Sequence, residues 1–192
     1  MVLQLECDWS LNFGFQRACR PGPGHPLILA PVRSRLLLLA LLVASCGSSD
    51  PKALTDSGSA ALNSGDPARA VSEFDRALEH MDAGDPEYLR ASIGRCQALA
   101  RIDPNRAKEE FLALARAQPS KVREPDFATV ATELVRHNAI SPAVAVAEAG
   151  MRMFPESPSM KSLLDLVGDA AKKASDPEAL KRLKGLGYAG DG

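Results

Sequence analysis

The chain has 192 residues, of which 45% are hydrophobic and 24% charged, so it can form one packed domain of ordinary size, with or without an appendage. Aromatic residues make up only 5%, and alanine and leucine carry much of the apolar share, which favours an all-α fold packed through small side chains. The 23 basic and 24 acidic residues give a net charge of −1, so no basic excess indicates a nucleic-acid partner. The composition also excludes collagen, a disulfide scaffold and wholesale disorder.

A short apolar run dominates the first third of the chain. Leu36–Val43 reads LLLLALLV, and Arg33 and Arg35 precede it. A basic flank, an apolar stretch of roughly ten residues and small residues before a cleavage site are typical of a secretory signal peptide. A membrane-spanning helix needs about 20 apolar residues, so this run is too short to span a bilayer. The sequence therefore predicts a signal peptide at residues 32–45.

The end of the run, Val43-Ala44-Ser45-Cys46, resembles the lipobox of bacterial lipoprotein signal peptides. In that family the cysteine thiol receives a diacylglycerol, and the cysteine becomes the first residue after cleavage. The resemblance implies that Cys46 is lipidated, that residues 46–50 form a lipidated linker and that acyl chains hold the protein in the cell envelope. Gly47 stands where an aspartate would imply retention in the inner membrane, so we expect the outer membrane, facing the periplasm.

Residues 1–31 do not fit this pattern. They include Cys7, Cys19 and His25 but show no helical or strand period. One interpretation is a cytoplasmic extension or a metal site on these three side chains, although their spacing fits no zinc module. The other is a non-native or disordered extension, with translation starting at Val32. We predict no metal and no other cofactor for the chain.

From residue 50 onward, Asp-Pro and Ser-Pro pairs recur. An Asp or Ser side chain caps the free N–H groups of a first helical turn, and proline suits the first helical position. Each pair therefore predicts the start of a helix, and no window shows the alternation of a β-strand. The pairs are Asp50-Pro51, Asp66-Pro67, Asp85-Pro86, Asp103-Pro104 and Asp176-Pro177, with Ser141-Pro142 and Ser157-Pro158 as variants.

Two of these segments are similar to each other. Gly65–Glu79 aligns with Ile102–Arg116 at a spacing of 37 residues, and the alignment pairs Phe74 with Phe111. The pattern resembles the tetratricopeptide repeat (TPR), a helix–turn–helix unit of about 34 residues. The resemblance implies a short α-solenoid over residues 51–174, with both phenylalanines buried between units.

Later parts of the chain depart from the repeat pattern. The third unit is degenerate, because Ala147 stands where the aromatic residue belongs. Residues 175–192 are expected to form a C-terminal capping helix and a tail that docks Leu186 and Tyr188 on the last repeat helix. Cys96 lies in an apolar helical segment, which favours a buried, inert thiol.

In the TPR family, the first helices of successive units line a concave groove. The resemblance implies a protein or peptide ligand in this groove. We assign its contacts to the side chains of Leu62, Leu89, Leu99 and Val135. Ser92 and Cys96 are expected on the same face as Leu89. Because cations on this face are few, we expect recognition by shape and apolar contact, with little dependence on salt.

The sequence offers no catalytic motif. It contains no H-E-x-x-H, no G-x-S-x-G and no phosphate-binding glycine loop. We therefore expect no enzymatic activity and no small-molecule substrate. The resemblances together imply a membrane-anchored, periplasm-facing lipoprotein that acts as a scaffold or adaptor. The alternative is an accessory or structural subunit that tethers an envelope hydrolase to the membrane.

Overall fold

The computed structural model describes residues 50–186 and Tyr188. Within this part the chain forms eight α-helices and no β-strand, which confirms the all-α prediction. The predicted extension, signal peptide and lipidation site at Cys46 lie outside the described residues. The helices are α1 (Pro51–Asn63), α2 (Pro67–Leu78), α3 (Tyr88–Ala100), α4 (Pro104–Ala117), α5 (Glu124–Arg136), α6 (Ile140–Met153), α7 (Pro158–Lys173) and α8 (Pro177–Lys184).

Most of the predicted helix starts are confirmed. The N–H of Arg69 donates to Asp66 Oδ1 at 3.0 Å, and the N–H of Arg106 donates to Asp103 Oδ1 at 3.1 Å. In each case proline occupies the first helical position, where no N–H is needed. The pairs that cap a helix in this way are Asp50-Pro51, Asp66-Pro67, Asp103-Pro104, Ser157-Pro158 and Asp176-Pro177.

The other two pairs do not begin a helix, and those predictions were wrong. The carboxylate of Asp85 accepts a hydrogen bond from the N–H of Asp82 at 2.8 Å, so this side chain closes a turn in the loop before α3. Helix α3 then begins only at Tyr88. Ser141-Pro142 lies inside the first turn of α6, and no side chain caps that helix.

Successive helices pack against each other, and the odd-numbered helices also touch in order. Helix α1 contacts α3, α3 contacts α5, and α5 contacts α7. Among the even-numbered helices of the described chain, α4 contacts α6 and α6 contacts α8, whereas α2 and α4 do not meet. Residues 79–87 join α2 to α3 and form a longer connection than residues 118–123 before α5 or residues 154–157 before α7. A gap therefore remains between α2 and α4.

The two equivalent phenylalanines are buried, as predicted. Phe74 is 1% exposed and Phe111 is fully buried. The Phe74 ring fits between two helices only because glycine stands on each: a Cβ at Gly58 would lie 2.8 Å from the ring, and one at Gly94 would lie 2.5 Å from it. Both distances are shorter than any normal contact, so this ring requires glycine on α1 and on α3.

Helix α5 supplies an aromatic ring where α6 has Ala147 in place of the predicted aromatic residue. Ala147 is buried but too small to fill the space between helices. Phe127 packs edge-to-face on Phe111 with ring centroids 4.9 Å apart, and it contacts Phe154 in the same way at 6.0 Å. Such edge-to-face pairs are favourable beyond the area that they bury. The helix pair α5 and α6 is therefore packed by an aromatic ring from α5.

The C-terminal segment covers the end of the helical array. Tyr188 is 6% exposed and lies against Gly168 of α7, where any Cβ would overlap its ring. Its hydroxyl donates to Asp169 Oδ1 at 3.1 Å, and Lys172 Nζ lies 5.4 Å from the ring centroid. The predicted docking of Tyr188 is confirmed, because its ring lies on α7, and Leu186 packs against the same core.

Candidate functional site

A cleft of about 410 Å³ lies between α1 and α3, with the start of α5 at its edge; we call it the α1–α3 cleft. Its apolar surface comes from Leu62, Leu89 and Ile93, together with the Phe74 ring. Because glycine at position 94 leaves room for that ring, the ring lies between α1 and α3 and forms part of the cleft lining. The cleft is therefore a recess with an apolar floor.

Two of the four predicted groove residues meet in this cleft. Leu62 and Leu89 both line it, although Leu62 is only 7% exposed. Leu99 is 3% exposed and belongs to the main core, and Val135 packs against that core. Neither Leu99 nor Val135 lines the α1–α3 cleft.

The cleft has a polar rim. Asn63 and Gln97 present side-chain amides to it, and Arg123 presents a guanidinium group that forms no ion pair within the described residues. Arg90 also lines the cleft, but its charge is offset, because it lies 2.6 Å from Asp56 and 2.6 Å from Glu87. Asp126 also lines the cleft, so the rim combines neutral amides with the charged side chains of Arg123 and Asp126.

The carboxylate of Asp56 on α1 is shared between two basic side chains. Asp56 accepts a hydrogen bond from Lys52 Nζ at 2.7 Å and one from Arg90 Nη2 at 2.6 Å. These two bonds lower the pKa of Asp56. Because the pair with Arg90 joins α1 to α3, it ties together the two helices that flank the cleft.

A buried ion pair joins three odd-numbered helices at their C-terminal ends. Arg101 Nε lies 2.7 Å from Glu133 Oε1, and Arg101 Nη1 donates to the carbonyl oxygen of Leu62 at 3.1 Å. Burial opposes ionisation of Glu133, but the hydrogen bond from Arg101 and the nearby positive charges outweigh it, so its pKa is lowered. The network satisfies a C-terminal carbonyl of α1 and fixes α1, α3 and α5 relative to one another.

Sequence reasoning missed Ile93 and Gln97, which follow Leu89 at intervals of four residues on α3. This i, i+4, i+8 stripe was readable in the sequence, since such residues share one helical face. Ser92 and Cys96 were placed on the groove face instead, and that placement was wrong. They line a separate cleft on the other side of α3, between α2 and α4.

Cys96 is the one cysteine among the described residues. It is buried and forms no disulfide, as predicted. Burial raises the pKa of its thiol to about 12, and the negative charge of Glu110 adds to that effect. Nucleophilic and metal-binding chemistry requires the thiolate. At neutral pH this side chain therefore behaves as a small apolar group.

The site can bind and orient a ligand through apolar contact and amide hydrogen bonds. Within residues 50–186 no group of three or more His, Cys, Asp and Glu side chains is arranged to hold a metal ion. None of the described helices has the length and hydrophobicity needed to cross a membrane.

Comparison with known proteins found no matching family model, no matching curated protein and no matching solved structure.

Proposed function

We propose that this chain is a TPR-like lipoprotein of the bacterial cell envelope, anchored through acyl chains on Cys46, whose helical array binds a segment of another protein. The α1–α3 cleft is the binding site in this proposal. The observation that carries it is the cleft itself: an apolar recess between two odd-numbered helices, lined by Leu62, Leu89 and Ile93 and rimmed by amides.

The order of helix contacts supports a short solenoid. A TPR array stacks helix pairs so that each first helix touches the first helix of the next unit. The contacts of α1 with α3, of α3 with α5 and of α5 with α7 follow this order. The burial of Phe74 and Phe111 at equivalent positions of two units is in accord with it.

The composition of the cleft supports a peptide segment bound by shape. A helical or extended segment can insert apolar side chains beside Leu89 and Ile93 while the amides of Asn63 and Gln97 bond its polar groups. Arg123 and Asp126 are the charged side chains of the described cleft that form no ion pair, and an exposed ion pair contributes only about 0–1 kcal/mol. We therefore expect affinity to depend on apolar contact.

A salt titration tests the binding mode. A partner that co-purifies from detergent extracts is titrated against the protein at low and at high salt. We expect the dissociation constant to change little, because the attraction is mainly apolar. An affinity that collapses as the salt concentration rises, or that requires a free C-terminal carboxylate on the partner, contradicts the proposal.

Lipid labelling tests the anchor. Cells that express the wild type or Cys46→Ala are given labelled palmitate, since the acyl chains can attach only at the cysteine thiol. We expect label and cleavage in the wild type and an unlabelled, uncleaved precursor in the variant. The anchor is refuted if the variant incorporates palmitate and matures normally.

A further inference from the structure

A groove of about 320 Å³ lies between the last turns of α4 and α6, and we call it the α4–α6 groove. Its volume is at the lower end of the range of about 300–1,000 Å³ that is usual for small-ligand sites. The apolar side chains of its floor belong to the main hydrophobic core or pack against it, so the fold sets the shape of the floor. Six residues line the groove, four of them apolar and two basic: Leu112, Ala115, Ala149 and Met153, with Arg116 and Arg152.

The two arginines line the same end of the groove. Helices α4 and α6 are both 14 residues long, and their first residues line one shared cavity, so the two helices begin at the same end of the array. Arg116 and Arg152 are each the next-to-last residue of their helix. Leu112 and Ala149 continue the floor by about one turn toward the other end. The groove therefore has a basic end and an apolar end.

The lining of the groove carries positive charge that the described chain does not neutralise. Arg116 is exposed and forms no ion pair within the described residues. The side chain of Arg152 is 73% exposed, and its nearest carboxylate oxygen, Glu148 Oε2, is 3.9 Å away. That carboxylate is already engaged, because Arg182 donates to Glu148 Oε1 at 3.1 Å and to Oε2 at 2.8 Å. Among the described residues, no carboxylate lines the groove.

Another arginine of the array shows the contrast. Arg95 on α3 lies 2.5 Å from Asp75 of α2 and 2.7 Å from Glu110 of α4, so there the chain itself supplies the carboxylates. A guanidinium group matches a carboxylate through two parallel N–H···O bonds. Charge complementarity therefore calls for a carboxylate at the basic end of the α4–α6 groove, on a ligand whose apolar part lies along the floor.

We propose that the α4–α6 groove binds a free aliphatic acid, a single alkyl chain that ends in a carboxylate. The carboxylate lies between Arg116 and Arg152, and the alkyl chain lies against Leu112 and Ala149. The small volume favours one such chain over a segment of a partner protein. The groove shares no residue with the α1–α3 cleft, so this proposal does not rest on the function proposed above.

Three matched probes test the charge of the ligand. The full-length protein, labelled with ¹⁵N, is titrated in detergent-free buffer with octanoate, 1-octanol and octylammonium, which share one chain and differ in their end group. We expect octanoate to shift the amide signals of Leu112 and Ala149 and to bind about tenfold more tightly than 1-octanol at low salt, with octylammonium weakest. The ratio between octanoate and 1-octanol should shrink at high salt, because exposed charges are screened.

Two results overturn the proposal at this stage. Equal affinities for octanoate and 1-octanol would show that the arginines do not select an anion. Shifts confined to Ile93 and Gln97 would place the alkyl chain in the α1–α3 cleft instead.

Substitution of the arginines tests their role. Arg116→Gln and Arg152→Gln should each lower the affinity for octanoate by about threefold and leave that for 1-octanol unchanged. Both side chains are exposed, so both variants should keep the wild-type Tm. Arg69→Gln is the matched control, because Arg69 is an exposed arginine of α2 that forms no ion pair within the described residues. An equal loss of octanoate affinity in all three variants would contradict a specific role of the groove.

A final arm separates a free acid from other anionic partners. A capped Glu-Leu-Leu-Glu peptide and phosphatidylglycerol vesicles are titrated in parallel with octanoate. We expect octanoate to bind and the peptide and the vesicles to leave the signals of Leu112 and Ala149 unchanged. Binding of the peptide or of the vesicles without binding of octanoate would assign the groove to an acidic protein segment or to a lipid surface, and the proposal would be wrong.

Discussion

Removing the Phe111 side chain should strongly destabilise the protein. Phe111 is fully buried, and its ring packs edge-to-face on Phe127 with centroids 4.9 Å apart. That contact links α4 to α5, which otherwise share few residues. Phe111→Ala therefore loses the burial of a whole ring and leaves a cavity between α4 and α5.

The expected loss can be worked out. A buried Phe→Ala change costs about 3–5 kcal/mol, and the aromatic pair is included in that range. Unfolding entropy is about 2.1 cal/mol/K per residue, so for the described part of this chain a loss of about 4 kcal/mol lowers Tm by roughly 14 °C. A loss of this size is a large fraction of the stability of an ordinary domain.

Urea unfolding followed by far-UV circular dichroism measures the effect, and Glu109→Ala provides the matched control on the same helix. The Glu109 side chain is 71% exposed, and Lys108 is its partner at 3.4 Å. Because an exposed pair of this kind contributes little, the control should change the free energy of unfolding by less than about 0.5 kcal/mol. Small and equal effects from Phe111→Ala and Glu109→Ala would refute the repeat register.

Three further predictions follow from the packing and the charges. Tyr188→Ala should lower the free energy of unfolding by about 3 kcal/mol in the same urea assay, because a buried ring is lost; a change below about 0.5 kcal/mol would show that the tail does not dock. In native protein at pH 8, Cys96 should not react with Ellman's reagent, because a pKa of about 12 leaves roughly one thiolate in ten thousand; a rapid reaction before unfolding contradicts its burial. Glu133→Gln should cost about 2 kcal/mol at pH 7, and the difference should shrink as the pH falls below 4.5, because a lowered folded pKa gives stability that is present above the unfolded value and is lost on acidification. An equal cost at pH 7 and pH 3 argues against an ionised Glu133.

Much of the fold was predictable because its signals are local. A capping carboxylate followed by proline acts within one helical turn, so pairs such as Asp66-Pro67 and Asp103-Pro104 mark helix starts without reference to the rest of the chain. The prediction of a helix start at Asp85-Pro86 was wrong because the Asp85 carboxylate accepts a hydrogen bond from the N–H of Asp82 instead. The same side chain can cap a helix or close a turn, and the loop length decides between them.

The site was harder to predict because it depends on how helices rotate against one another. The sequence indicated which residues of α3 are apolar but not which face turns toward α1, so Ser92 and Cys96 were assigned to the wrong side. Ile93 and Gln97 take that face because Gly94 must turn toward Phe74. The contact between Gly94 and the Phe74 ring therefore fixes how α3 is rotated about its own axis.

Blocking the α1–α3 cleft tests the central claim most directly. Gln97→Trp places a large ring in the cleft at a half-buried position, whereas Glu109→Trp places the same ring on an exposed face of α4. The Tm of each variant is first shown to equal that of the wild type. The recovery of the co-purified partner from detergent extracts is then measured for both variants. We expect Gln97→Trp to abolish recovery and Glu109→Trp to leave it unchanged. Full recovery with Gln97→Trp would contradict binding in this cleft.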